Sequence, residues 1–216
     1  MIAPVWLFDL DNTLHNTSAH IFPRINTAMT AYIAEQLQID TEEANALRVH
    51  YWQRYGATML GLMRHHGTDP HHFLHHTHQF PDLHELVVFE RELRGMLRRL
   101  PGRKIVVSNG PHAYVHAVLT HMKVIRLFER ICGVEQLRLL PKPEPRGFRH
   151  LLHSLGVHAS QCVLVEDSLE NLHAAKALGM RTVWISRAHG KPPYVDVKLR
   201  SVLALRRVTF SHRVTS

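Results

Sequence analysis

Phe8-Asp9-Leu10-Asp11-Asn12-Thr13-Leu14 is the stretch on which the reading of this chain turns. It is entered from Pro4-Val5-Trp6-Leu7, a short apolar run with a β-branched and an aromatic residue, so Pro4 to Asp9 is expected as a buried strand. Side chains alternate along an extended chain, which places residues 9, 11 and 13 on one side. Two carboxylates and a hydroxyl then converge at the strand's carboxyl end. Acids this close repel each other, and their site needs a cation or a shared proton to hold them.

Working outward, similar apolar runs recur at Lys104 to Ser108, Ile131 to Val134, Cys162 to Glu166 and Thr182 to Ile185. Near-continuous apolar strands belong to parallel sheets covered on both faces. Helical patterns separate the later runs. Tyr114 to His121 follows Asn109-Gly110-Pro111, with Pro111 suited to a first helical position. The stripe Phe148, Leu151, Leu152, Leu155 stops at Gly156, and Leu172, Ala175, Leu178 stops at Gly179. This alternation predicts an α/β fold with a doubly wound, Rossmann-like parallel sheet as its core.

Residues 15–89 break the rhythm. Ile25, Met29, Tyr32, Ile33 and Leu37 keep helical spacing, Asp40 with Glu43 resembles a capping box, and Asp69-Pro70 reads as an N-cap and first helical position. A helical insertion after the first strand reads as a cap over the strand ends, where ligands bind in open α/β sheets. The expected organisation is a core of residues 1–14 and 90–216 with a helical cap of residues 15–89. The basic tail beyond Leu205 lacks pattern and is expected to be loosely ordered.

Further chemistry-bearing residues fall at the carboxyl ends of the predicted strands. Ser108 is followed by Asn109-Gly110, so its hydroxyl and neighbouring N–H groups can cradle an anion. Lys142, held between Pro141 and Pro143, offers a positioned positive charge to phosphate. Glu166-Asp167 ends the fourth strand, and paired acids there suit a hard divalent cation.

With these four motifs the chain resembles the haloacid dehalogenase-like hydrolase superfamily over nearly its whole length. The resemblance implies Asp9 as nucleophile, Asp11 as general acid and then base, and Ser108 and Lys142 as holders of the phosphoryl group. It also implies Mg²⁺ bound by Asp9, the backbone carbonyl of Asp11, and Asp167. A closer resemblance, to the pyrimidine 5′-nucleotidase branch, rests on Phe8 to Leu14, on Tyr51-Trp52-Gln53-Arg54-Tyr55-Gly56, and on Glu166 to Asn171. Glu166 stands where that branch carries aspartate, and His15 where it carries an aromatic residue. The expected function is therefore a Mg²⁺-dependent phosphatase using an aspartyl-phosphate intermediate on a nucleoside 5′-monophosphate, with a place in nucleotide metabolism. Thr13, Asn109, Tyr51, Arg54 and Tyr55 are the expected substrate contacts, and Arg64 a further candidate. The alternative is a phosphatase or phosphomutase for another small phosphorylated metabolite, such as a sugar phosphate or phosphoglycolate. A non-catalytic binding protein on the same fold is the remote alternative, supported only by basic charge.

Composition bounds the remaining choices. The 216 residues allow one domain or a core with a modest insertion. Against 18 acidic residues stand 26 Lys and Arg, a formal charge of +8 that favours anionic partners. The arginines are spread from Arg91 to Arg213 without a block, so a small phosphorylated substrate is expected and nucleic acid is not. No apolar run reaches bilayer length and no leader pattern precedes Asp9, so a cytoplasmic protein without membrane contact is expected. Cys132 and Cys162 read as small core residues. The histidines gathered between His65 and His84 read as a solvated helix face, with metal binding or pH sensing as the sharper possibility. Neither GxxxxGK[ST] nor GxGxxG occurs, which disfavours nucleotide-driven kinase chemistry.

Overall fold

The computed structural model describes residues 3–208. Its frame is a parallel sheet built from β1 (Val5–Phe8), β2 (Arg103–Val107), β3 (Arg130–Cys132), β4 (Cys162–Glu166), β5 (Arg181–Ile185) and β6 (Val197–Leu199). The order is β3-β2-β1-β4-β5-β6, with β1 at the centre. Leu7 is in register with Ile105 on one side and Leu164 on the other.

The apolar runs are continuous because both faces are covered. Trp6, Phe8, Val106, Val163 and Val165 pack on α6 (Leu93–Arg99) and α7 (His112–His121) through Leu93, Met96, Leu97, Val115, Val118 and Leu119. Val5, Leu7, Ile105, Val107 and Leu164 pack on α8 (Pro145–Leu155) and α9 (Leu169–Ala177) through Phe148, Leu151, Leu155, Leu172 and Ala175. The doubly wound α/β architecture is thus the one the strand and helix pattern called for.

Between β1 and β2 lie α1 (Ile21–Leu37), α2 (Thr41–Tyr55), α3 (Thr58–His66), α4 (Pro70–Thr77) and α5 (Leu83–Leu86). The Asp40 carboxylate accepts from Glu43 N–H at 2.8 Å and that of Asp69 from His71 N–H at 2.9 Å, which fixes the starts of α2 and α4. Gly56 ends α2 in the left-handed region, at φ 79°. Tyr32, Ile33, Ala44, Tyr51, Met59, Leu62, Phe73 and Leu74 form a third apolar cluster that closes against Val134. The front of α1 belongs instead to the sheet-face cluster, through Ile21 and Ile25.

Three local expectations need correction. β1 stops at Phe8, and the chain coils at once: Leu14 N–H reaches Leu10 C=O at 2.9 Å, and Asn12 takes φ 60°. Residues 9, 11 and 13 therefore do not share an extended strand. β3 ends at Cys132, because Val134 already opens a 3-10 turn. The edge strand β6 was not foreseen: it is three residues long and carries Lys198, a typical blunt edge with little apolar signal. Most of the tail beyond Leu205, including Arg213, lies outside the described residues.

The seam between α2 and α3 depends on Gly61. A Cβ there would lie 2.1 Å from Tyr51 Cγ, well inside contact distance. Alanine would raise helix propensity, but it must push the two helices apart. We expect Gly61→Ala to destabilise by about 1–3 kcal/mol, read as a lower urea midpoint. A raised midpoint, the sign propensity alone predicts, would show that the seam yields freely.

Candidate active site

The site forms where β1, β2 and β4 end. Asp9 follows β1, and its N–H bonds Val165 C=O at 2.9 Å, so the sheet ladder itself aims the residue. Lys142 enters from the turn before α8. Its ammonium donates to Asp9 Oδ1 at 2.7 Å, Glu166 Oε2 at 2.7 Å and Val107 C=O at 2.9 Å. Lys142 is 2 % exposed, Asp9 6 % and Glu166 1 %. Asn109 straps the turn in place: its amide donates to Lys142 C=O and accepts from Lys142 N–H, each at 2.8 Å. That amide, expected as a substrate contact, fastens the lysine turn.

One ammonium sits among three carboxylates. Asp9, Glu166 and Asp167 each offer an oxygen within 4.8 Å of the others. Burial raises the Asp9 pKa well above the ordinary range, and Glu166 adds to it against Lys142. Burial, then the charge of Glu166, lifts Asp167 to about 7. Burial alone would depress Lys142, but Asp9 and Glu166 outweigh it and hold the lysine charged. The donor set is all carboxylate and short of positive charge, which fits a hard divalent cation. Glu166 belongs to this set, and its Oε1 also accepts from the N–H groups of Asp167 and Ser168, each at 3.2 Å.

Asp11 lives in different surroundings. Its Oδ1 accepts from Tyr114 Oη at 2.7 Å and Thr17 Oγ1 at 2.8 Å, and pairs with His15 Nε2 at 3.1 Å. Burial works to raise its pKa, yet the hydrogen bonds from His15, Tyr114 and Thr17 together lower it. Sequence reasoning noted His15 only as a departure and missed Tyr114 and Thr17. No local signal marks Tyr114, whose partner is 103 residues away.

Ser108 is fully buried, and its Oγ accepts from Gly110 N–H at 3.0 Å, which leaves its proton for another acceptor. Thr13 is buried too, and its hydroxyl finds no partner among the described residues. An unmet buried hydroxyl costs about 1–3 kcal/mol, so this position suits a polar ligand atom.

The helical segment meets this region through several contacts. Gly56 stands against the ring of Pro143, 3.7 Å from its own missing Cβ position, and the His78 ring lies 5.8 Å from Tyr114. Tyr51 is not at the site's surface: it is 6 % exposed, and its hydroxyl bonds His66 Nε2 at 2.7 Å. There it packs in the seam between α2 and α3. Tyr55, next to Gly56, bonds His65 Nε2 at 2.6 Å and carries the Arg64 guanidinium over its ring, while Arg54 is exposed. His65 and His66 thus meet tyrosine hydroxyls, as His72 also does for Tyr32 at 2.8 Å. Among the described residues no group of three metal-ligating side chains includes them.

A buried aspartate paired with a buried lysine beside a carboxylate cluster at parallel strand ends is the arrangement the chain presents. The match to the haloacid dehalogenase-like hydrolase model spans residues 6–185, and the chain belongs to that family. The phosphoglycolate phosphatase of Pseudomonas fluorescens is 28% identical over 86% of this chain and 71% of its own length. The glyceraldehyde 3-phosphate phosphatase of Pyrococcus abyssi is 24% identical over 83% of this chain and 80% of its own. Among solved structures, a HAD phosphatase from Thermococcus onnurineus superposes with a TM-score of 0.65 at 23% identity, over 96% of this chain and 97% of that one. No helix of the described residues is long and apolar enough to cross a membrane.

Two outcomes follow from the electrostatics. Lys142→Met leaves Asp9 and Glu166 buried without their counter-charge, so unfolding at neutral pH in EDTA should cost about 3–5 kcal/mol less than in the wild type. An unchanged denaturant midpoint would contradict the bridge. Burial also pushes His78 down to about 4, against the pull of Asp11. The unfolded chain therefore takes up this proton first. The stability tied to His78 is whole above pH about 6.5 and is lost as pH falls toward 4. His78→Gln should flatten the acid-side fall in unfolding free energy across that window; a parallel curve would refute it.

Proposed function

We propose that this chain is a Mg²⁺-dependent phosphatase acting on a small phosphorylated carboxylic acid or triose through an aspartyl phosphate on Asp9. The observation that carries it is the Lys142 ammonium, which touches Asp9 while buried beside a carboxylate cluster. Asp9, Asp167 and the backbone carbonyl of Asp11 would hold the cation, with Glu166 beside it. Bound there, the cation would neutralise charge between the carboxylates and the phosphoryl oxygens.

The chain's own residues divide the remaining work. Lys142 and the Ser108 hydroxyl hold the phosphoryl group, and the Thr13 hydroxyl gains the acceptor it lacks. The Asp9 carboxylate attacks phosphorus, the bond to the leaving oxygen breaks, and Asp11 gives that oxygen its proton. Water then attacks the phosphorus of the aspartyl phosphate as Asp11 takes a proton back, which frees phosphate and restores Asp9. Leaving-group protonation suits an ester oxygen, whereas a departing halide needs no proton.

Residues 15–89 act, on this reading, as a cap over a core formed by residues 1–14 and 90–216. Arg54, Tyr55 and Arg64 are the cap residues we place nearest the substrate, since Gly56 abuts the lysine turn. The substrate class follows the names of the relatives, which are phosphatases of phosphoglycolate and glyceraldehyde 3-phosphate. The pyrimidine 5′-nucleotidase reading draws no support from them.

The test is phosphate release with Mg²⁺ over 2-phosphoglycolate, glyceraldehyde 3-phosphate, sugar phosphates and nucleoside 5′-monophosphates. The small acid or triose should give the highest kcat/KM. Asp9→Asn should abolish turnover with the fold intact, and EDTA should silence the enzyme until Mg²⁺ returns, with Ca²⁺ a poor substitute. A preference for nucleotides would overturn the substrate class. Full activity of Asp9→Asn would overturn the mechanism.

A further inference from the structure

We propose that Tyr114 is a positioning residue for Asp11, holding one carboxylate oxygen so that the other is presented to the leaving oxygen of the substrate. The inference rests on the phosphatase reading above, in which Asp11 protonates that oxygen.

The geometry is asymmetric. All three side-chain partners of Asp11, from Tyr114 at 2.7 Å, Thr17 at 2.8 Å and His15 at 3.1 Å, meet Oδ1. Among the described residues no hydrogen bond reaches Oδ2. An ionised carboxylate has acceptor sites on both oxygens. Three partners on one of them fix the plane of the group and leave the other free to work. Tyr114 contributes the shortest of the three contacts.

Its hydroxyl is aimed from two sides. Tyr114 lies in the first turn of α7, just after the Ser108–Pro111 loop, and is 3 % exposed. Its ring edge would come within 2.9 Å of a Cβ at Gly110, so it rests directly on that loop's backbone. From the other side His78 and Phe80 pack on it, with ring centres 5.8 Å and 5.9 Å away. The tyrosine thus joins the loop that carries Ser108, the segment after α4, and Asp11. A hydroxyl needed only for packing could be satisfied by any backbone carbonyl. Here it is placed on the one carboxylate that must meet a departing oxygen.

In the step concerned, the bond from Asp9 to phosphorus forms and the bond from phosphorus to the leaving oxygen breaks. The proton passes from Asp11 Oδ2 to that oxygen, and Tyr114 keeps its own. Misplacing Oδ2 therefore harms substrates whose leaving group must be protonated. An alkoxide needs that proton far more than p-nitrophenolate does.

The experiment uses the full chain with Mg²⁺ and the Tyr114→Phe variant, which keeps the ring and removes the hydroxyl. General acids contribute about 10²–10⁴-fold, so loss of one of three anchors should lower kcat on an alkyl monoester about tenfold or more. The alkyl substrate is 2-phosphoglycolate, or whichever alkyl monoester the wild type hydrolyses fastest. On p-nitrophenyl phosphate the fall should stay below about threefold, with KM little altered for either substrate. Thr17→Val should show the same split, and it carries the test if Tyr114→Phe does not fold. Equal losses on both substrates, or no loss on either, would overturn the positioning role while leaving the phosphatase reading in place. A wild type inactive on every monoester would overturn that reading, and this inference with it.

Discussion

A buried ammonium cannot stand alone, and the architecture around the site follows from that constraint. Lys142 meets Asp9 after β1, Val107 C=O at the end of β2 and Glu166 at the end of β4. Three neighbouring strands must therefore end at the same level. The register that aligns Phe8 with Val106 and with Val165 supplies that level. A slip of one residue in any of the three would turn a partner to the opposite face and leave a charge in apolar surroundings. The reciprocal bonds between Asn109 and the backbone of Lys142 are the complementary device, because they place the lysine without relying on its long, flexible side chain.

The same constraint explains what could be read in the sequence. Strands buried on both faces are apolar throughout, so β1, β2, β4 and β5 were visible as runs, and the charged residues just beyond them marked the ends. Asp9, Ser108 and Glu166-Asp167 stand at strand ends that a parallel sheet gathers on one side, whereas Lys142, ten residues beyond β3, reaches them from the turn before α8. What escaped was of two kinds. The turn at Asn12 replaces the expected extended chain, since left-handed geometry leaves no mark on hydrophobic periodicity. Tyr114, by contrast, reads as one more aromatic on a helix, because its polar partner is distant in sequence. Tyr51, expected as a substrate contact, is buried where Gly61 makes room for it in a helix seam, a placement that local sequence does not mark.

The histidines between His65 and His84 read first as a solvated helix face, and His65, His66, His71, His72, His75 and His76 are indeed exposed. Three of them also meet tyrosine hydroxyls on the helical segment: His65 with Tyr55, His66 with Tyr51 and His72 with Tyr32. Tyr32 and Tyr51 bury their rings, and the exposed histidines satisfy the phenol tips. That lets a segment with small apolar clusters keep its helices together without a large core. Packing of Val134 in the same cluster, and of Gly56 on Pro143, then seats the segment beside the loop that ends in Lys142.

Asp9 and Asp11 are two residues apart and are pushed in opposite directions. Burial and Glu166 raise Asp9, whereas the hydrogen bonds on Oδ1 outweigh burial and lower Asp11. Pairs of acids driven apart in this way mark a division of labour. On the proposed reading the division must reverse when the site fills, because attack needs Asp9 ionised and departure needs a proton on Asp11. Electrostatics supplies the reversal. Positive charge placed among Asp9, Glu166 and Asp167 lowers Asp9, the member those neighbours had raised. A phosphate dianion brought up to Asp11 favours its protonated form, as any nearby like charge does. On the proposed reading both carboxylates would reach their working charge states only with cation and phosphate bound, which would couple chemistry to a filled site.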